Sequence, residues 1–315
     1  MTSPAPHVLV VGECVADIVR TEGAPDRVHP GGSPANVAHG LARLGRPAML
    51  LTELGADANG RLIREHLESA GVTVLAEPPR GGRTPSAVVR LDDAGRARYT
   101  FDIGWALPDR PELELPYPPG HLHLGSIAAV TEPGAAAVLA LARRWRGRIG
   151  ISYDPNVRPA LMGEHGQAVR RVESCVALSD LVKASDEDLA WLYPGRDAES
   201  VARHWLGLGP ATVAVTRGAE GAFALTADGR RAEAPARPTP VADTVGAGDA
   251  FMAALLQARC TGAGLEEALT WAVTAAALTV SRPGADPPGA DELRAALGAV
   301  AGTEANAGAA GGHPG

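Results

Sequence analysis

Short apolar runs recur along the chain at Val8–Val11, Ala48–Glu53, His121–Gly125, Ile149–Asp154, 180–185 and Thr212–Val215, each running into glycine, serine or an acidic residue. Helix-spaced segments lie between them. Gly60–Gly71 puts Leu62, Ile63, His66 and Leu67 at core spacing, with Gly71 as its stop. This alternation predicts an α/β fold, a mostly parallel sheet joined by right-handed crossovers. Ligands in such sheets sit beyond the carboxyl ends of the strands. One segment breaks the rhythm: Ser86–Leu91 and Arg96–Phe101 flank Asp92-Asp-Ala-Gly95 and read as a hairpin.

The chain has 315 residues, enough for one large α/β domain with a smaller appendage. Aromatics are only 4% of it, so the core must be built from Ala, Leu and Val. A net charge of −7 without a basic run argues against nucleic acid as a partner. No apolar run reaches membrane-spanning length, and Val8–Val11 reads as a first strand rather than part of a signal peptide. Cys14, Cys175 and Cys260 are too few and too scattered for a disulfide framework or a zinc site, so a cytoplasmic location is expected. His121 and His123 share a strand face, but no third metal ligand is nearby. Lys183 is the only lysine, and no glycine frame precedes it, which excludes a P-loop. Nucleotide phosphates would have to be held by backbone amides, arginines and a metal.

Asp243-Thr-Val-Gly-Ala-Gly-Asp-Ala-Phe251 is a polar, glycine-rich turn that opens an alanine-rich helix, with Phe251, Ala254, Leu255 and Ala258 on one face. The first amides of a helix lack internal partners and carry the positive end of its dipole. Glycines leave such amides open to an anion, and phosphate suits them. Asp249 sets a carboxylate at the same point, which suits a base that takes a proton from an attacking hydroxyl. Helix capping by Asp249 and tight turning by the glycines are the plainer alternative. Near the other end, Gly31-Gly-Ser-Pro-Ala-Asn36 opens a helix running through Leu41 and Leu44, and Asp17 lies within an earlier extended run. Spacing alone does not decide whether Asp17 faces water or binds hydroxyls.

The two strings together resemble the C-terminal and N-terminal signatures of the ribokinase-like (PfkB) family of sugar and nucleoside kinases, in its fructokinase-like form. The resemblance implies a three-layer α/β/α fold over residues 1–302, a small β lid from about 14–30 and 84–103, and a disordered Gly/Ala-rich tail at 303–315. It implies that Asp249 is the catalytic base and that the Gly246, Ala247 and Gly248 amides form the anion hole. Asp17, Gly31, Gly32 and Asn36 match the family's sugar-binding positions, and Arg98, Tyr99 and Phe101 on the lid are candidates to reach the substrate. Asp154, Asn156 and Arg158 match an element near the phosphate. From the residues alone, a structural ion pair within that triplet is as good a reading for Arg158 as support of the transferring charge.

Ser185-Asp-Glu-Asp188 stands where relatives carry Asn-x-x-Glu, linked to Mg²⁺ through water. This makes Ser185 a nucleotide contact and Asp188 a metal contact, with Glu187 an alternative because Asp shortens the reach. Thr216, Arg217, Gly218 and Gly221 resemble the ATP element, and Ala275, Ala276 and Thr279 lie at the expected adenine edge. Asp243 is a second metal candidate. In relatives the Arg282–Asp286 loop helps hold a monovalent cation, so K⁺ joins ATP and Mg²⁺ as an expectation. Exposed lid edges make a homodimer through the lid a further one.

The implied activity is ATP-dependent phosphorylation of a sugar hydroxyl, with fructose first, another ketose or a 2-keto-3-deoxy sugar acid next, then a nucleoside. A non-catalytic sugar sensor is the alternative of a different class. A dinucleotide oxidoreductase would need G-x-G-x-x-G after the first strand, where Gly12-Glu-Cys-Val stands instead.

Overall fold

The computed structural model describes residues 5–20, 25–91, 97–108 and 113–299. The expected hairpin turn and the 303–315 tail lie outside the described residues, as do the side chains of Arg98 and Tyr99. In chain order the first half comprises β1 (His7–Val11), β2 (Val15–Arg20), β3 (Arg27–Gly31), α1 (Ser33–Arg43), β4 (Ala48–Glu53), α2 (Ala58–Ser69), β5 (Thr73–Glu77), β6 (Ser86–Leu91) and β7 (Ala97–Asp102). Then come β8 (Pro119–Gly125), α3 (Gly134–Trp145), β9 (Gly150–Asp154), α4 (His165–Val176), β10 (Leu181–Ser185), α5 (Asp186–Leu192), α6 (Ala198–Leu206), β11 (Thr212–Thr216), β12 (Ala222–Thr226), β13 (Arg231–Ala234), α7 (Ala247–Cys260) and α8 (Leu265–Val280).

Nine strands form one sheet in the order β13-β12-β11-β10-β9-β8-β1-β4-β5. The seven strands from β11 to β5 in that order pair parallel, and β12 and β13 add an antiparallel edge. Strands buried on both faces read as unbroken apolar runs, and alternate residues serve opposite layers. Val8 and Val10 of β1 pack into the core beneath α1, α7 and α8, whereas Leu9 and Val11 pack into the core beneath α3, α4 and α6. The chain builds outward from β1 through β4 and β5, then returns to β8 and grows the other way. The strand order therefore reverses between β1 and β8, and a ligand crevice belongs at their carboxyl ends.

The segments expected as a lid form a separate four-stranded sheet, β3-β2-β6-β7. Asp17 sits opposite His29 and Ala87, and Ala87 sits opposite Phe101. Residues in one cross-strand row share a face, so Asp17 and Phe101 point the same way.

Two helices differ from their expected form. α2 begins at Ala58, ahead of Gly60, because the Asp57 side chain accepts the Gly60 amide at 2.8 Å and caps it. α7 is buried on nearly every side rather than along one stripe, because it lies between α1 and α8 over the sheet. A Cβ placed on Gly40 of α1 would come 2.8 Å from the Ala253 Cβ of α7, so the glycine lets these helices touch. Asn36 lies one turn before Gly40, and Asp249 lies one turn before Ala253. The close approach therefore brings those two polar side chains together.

Candidate active site

At the mouth of α1 and α7, Ser33 Oγ donates to Asp249 Oδ1 at 2.6 Å, and Asn36 Nδ2 donates to Asp249 Oδ2 at 2.8 Å. Asp249 is 8% exposed and sits in the first turn of α7, behind Gly246 in the left-handed conformation with φ +77°. The amides of Gly248 and Asp249 have no hydrogen-bond partner among the described residues, whereas that of Ala247 donates to Thr244 O at 3.3 Å. Two donors thus stand free beside a carboxylate at the positive end of a helix, which suits an anion that reacts next to a base.

The lid residue Asp17 is tied to the same place. A Cβ on Gly31 would come 2.1 Å from Asp17 Oδ2, and Gly31 is two residues from Ser33. Asp17, Gly31, Gly32, Ser33, Asn36 and Asp249 thus line one continuous surface rather than opposite sides of the molecule. Burial raises the Asp17 carboxyl to about 6, against the pull of His29 and Arg158. Arg158 itself is exposed and donates to Val157 O at 3.0 Å.

The Asp154–Arg158 triplet does not stay extended. Asn156 adopts φ +37° and its amide donates to Asp154 Oδ1 at 3.1 Å, so the chain turns there. The partner of Asp154 is Lys183, whose Nζ donates to Asp154 Oδ2 at 2.9 Å inside the sheet. A Cβ on Gly248 would lie 3.0 Å from that ammonium. A side chain at 248 would press on the lysine tip, which would have to give by a few tenths of an ångström. Sequence singled out Lys183 only to exclude a P-loop, yet the fold sets it under the glycine turn. Burial alone would strip its proton, but Asp154, then Asp188 and Asp249, outweigh that and hold its pKa up.

Asp188 accepts the Val157 amide at 2.8 Å and the Ser185 amide at 2.9 Å, while Ser185 Oγ accepts the Asp188 amide at 3.0 Å. The pair is a capping box that fastens the 155–158 turn to α5. Asp243 similarly accepts the Val245 and Gly284 amides at 3.0 and 2.9 Å, which hold its carboxyl below the usual range. No group of three or more His, Cys, Asp or Glu able to hold a metal occurs among the described residues. His121 and His123 both contact Ser152 Oγ, at 2.8 and 2.9 Å.

On the flank expected to take ATP, Thr216 ends β11, and Gly218 leaves open space where a side chain would stand. Gly221 is needed by the protein itself, because its Cβ would lie 2.2 Å from Ala234 O. Arg217 pairs with Glu233 and Glu220 and lies 5.4 Å from the Phe223 ring, so its charge is already engaged by carboxylates. Of the expected adenine-edge residues, Thr279 is fully buried and its hydroxyl donates to Ala275 O within α8.

Two residues that the sequence strings do not single out belong to the site. Ser33 lies inside one of the strings and holds the expected base directly. Glu13, at the carboxyl end of β1, is 3% exposed and accepts the Ala128 amide at 3.1 Å. Burial drives its carboxyl up to about 7, only partly offset by hydrogen bonds, and Asp249 adds to the rise. A carboxyl raised above its unfolded value of 4.5 favours folding while protonated and loses that contribution as pH climbs to about 7. The full shift corresponds to about 3 kcal/mol. The melting temperature of Glu13→Gln should therefore gain on that of the wild type between pH 5 and pH 8. A constant difference across that range would remove Glu13 as the cause.

A model of the pfkB family carbohydrate kinases matches residues 5–292. The chain belongs to that family. This carbohydrate kinase is 37% identical over 238 residues to a fructokinase of Rhizobium leguminosarum bv. trifolii, covering 72% of this chain and 71% of the relative. It is 33% identical over 293 residues to a fructokinase of Salmonella typhimurium, covering 88% and 94%. Its fold matches a crystal structure of fructokinase from Vibrio cholerae in fructose-, ADP- and calcium-bound form with a TM-score of 0.78, at 28% identity and over 94% and 98% of the chains. The ribokinase-like α/β architecture expected from the sequence is the architecture of the protein. No helix among the described residues is long and apolar enough to cross a membrane.

Proposed function

We propose that this kinase transfers the γ-phosphoryl group of ATP to a hydroxyl of fructose. The observation that carries the reading is the Asp249 carboxylate, held by Ser33 and Asn36 beside two free amides at the start of α7. The sugar hydroxyl oxygen forms a bond to Pγ, the bond from Pγ to the β–γ bridging oxygen breaks, and ADP leaves. Asp249 accepts the hydroxyl proton, and the Gly248 and Asp249 amides bear charge on the transferring group. An ionised carboxylate has about four acceptor sites, so the substrate hydroxyl need not displace Ser33 or Asn36. Asp17, sharing a lid face with Phe101, takes sugar hydroxyls, and Gly31 and Gly32 let the sugar approach the backbone. Asp188 and Asp243 would hold Mg²⁺ through water, and the ion would offset the charge of the triphosphate. A homodimer through the edges of the lid sheet remains part of the proposal, to be tested by sedimentation.

The reading favours fructose because the fructokinase relatives cover the chain from lid to carboxyl end. ADP release measured over a panel of fructose, ribose, 2-keto-3-deoxygluconate and nucleosides should give the highest kcat/KM with fructose. A higher value for any other acceptor would replace the substrate assignment. ADP release that no acceptor stimulates would favour the non-catalytic sensor.

A further inference from the structure

We propose that Lys183 is a positioning residue for phosphoryl transfer, its ammonium charging the floor of the anion site beneath the first turn of α7. The inference rests on the kinase reading above. Its starting point is chemical economy. The chain holds one lysine among 29 basic residues, and that one is 4% exposed, in mid-sheet on β10. Buried lysines are rare unless paired. Asp154 supplies the pair, but one carboxylate engages only one of three ammonium protons, and no second hydrogen bond to Nζ is found among the described residues. The ammonium lies 3.0 Å from where a Cβ on Gly248 would stand, beside the turn whose Gly248 and Asp249 amides are left free for an anion. An ammonium at the positive end of a helix is repelled by it. The arrangement becomes favourable when an anion sits on those amides, because the amides and the ammonium then act on it together.

Arginine could not take the place. Its planar guanidinium is bulkier than a point ammonium, and Nζ lies 2.9 Å from Asp154 Oδ2 and 3.0 Å from where a Cβ on Gly248 would stand. The local charge points the same way. Glu13, Asp154, Asp188 and Asp249 all lie close enough to perturb one another or Lys183, so the crevice is anionic and repels a triphosphate. Among the described residues, Lys183 is the side-chain cation found to act on Asp154. Of the arginines expected at the site, Arg217 is paired with two glutamates, and Arg158 is exposed and acts on Asp17.

A merely structural ion pair and a positioning charge are separated by neutralising both partners. Lys183→Met alone leaves Asp154 buried without its partner and destabilises the fold. Asp154→Asn with Lys183→Met removes both charges and should recover most of the lost thermal stability. If Lys183 serves the phosphate, kcat of the double variant stays down by about 100-fold while KM for the sugar stays within about threefold of wild type, the size of effect seen when one donor to a developing oxyanion is removed. Lys183→Arg should not rescue it. Gly248→Ala, which crowds the ammonium, should lower the melting temperature in the wild type and much less in the double variant. A double variant with wild-type kcat, or a rise in KM for the sugar that accounts for the whole loss, would overturn the inference. A wild-type protein that phosphorylates no sugar would defeat the kinase reading itself, so the two failures are distinguishable.

Discussion

Asp249→Asn is expected to keep nucleotide and sugar binding within a few-fold of wild type and to lose about three orders of magnitude in kcat, at the middle of the range for removing a general base. The substitution is close to isosteric. The new amide oxygen can still accept from Ser33 Oγ, now at 2.6 Å from Asp249 Oδ1. The new amide nitrogen faces Asn36 Nδ2, and Asn36 can turn its own amide to present an oxygen. The lining of the site is therefore kept, and what disappears is the acceptor for the hydroxyl proton. Binding read by calorimetry with ADP and fructose, set beside steady-state ADP release, separates the two effects. Near-normal kcat would leave Asp249 as a capping residue and remove it from the chemistry. Loss of binding in proportion to kcat would mean that its main task is to hold Ser33 and Asn36 in place.

What was legible in the sequence was local. A parallel sheet announces itself by strand-length apolar runs alternating with helices, because each strand is buried on both faces. The turn from Asp243 to Phe251 is legible because its glycines, its acid and the helix behind it are contiguous. What was not legible arises across the sheet. Asp154 and Lys183 are 29 positions apart, and nothing in either run says that their side chains meet. Asp154, Asn156 and Arg158 match one short element, but the positive φ of Asn156 turns the chain between them, which the string does not announce. Arg217 belongs to a string that resembles the ATP element, and only the fold shows that β13 brings Glu233 against it. The glycines show both sides of the matter. Their presence in the turn was readable as room for a ligand, but Gly248 and Gly246 also leave room for Lys183 and for Ala285, which come from far along the chain.

The second large effect is expected at Gly32, which caps α1 beside the proposed sugar site. Its backbone stands at φ +98° and ψ 123°, a region closed to side chains. A Cβ there would also lie 2.5 Å from the carbonyl oxygen of Glu13 and 3.1 Å from Cys14 Cα, both backbone atoms of the segment joining β1 to the lid. The dihedral strain of Gly32→Ala costs about 1–3 kcal/mol, and the overlap adds a similar amount. A sum of about 4 kcal/mol lowers the melting temperature of a 315-residue chain by roughly 6 °C, at about 2.1 cal/mol/K of unfolding entropy per residue. Relief by moving α1 would carry Ser33 and Asn36 away from Asp249, and a shift of about 1 Å in a catalytic group costs on the order of 100-fold in rate. Gly45 provides the control. It has φ +78° but meets nothing within 4 Å, so Gly45→Ala should cost about 1 kcal/mol and leave kcat unchanged. Thermal denaturation and kcat measured on both variants test the argument, because equal losses in the two would show that the contact with Glu13 does not set the position of α1. A Gly32→Ala protein that melts early yet turns over normally would show instead that Ser33 and Asn36 hold Asp249 without help from the seat beneath them.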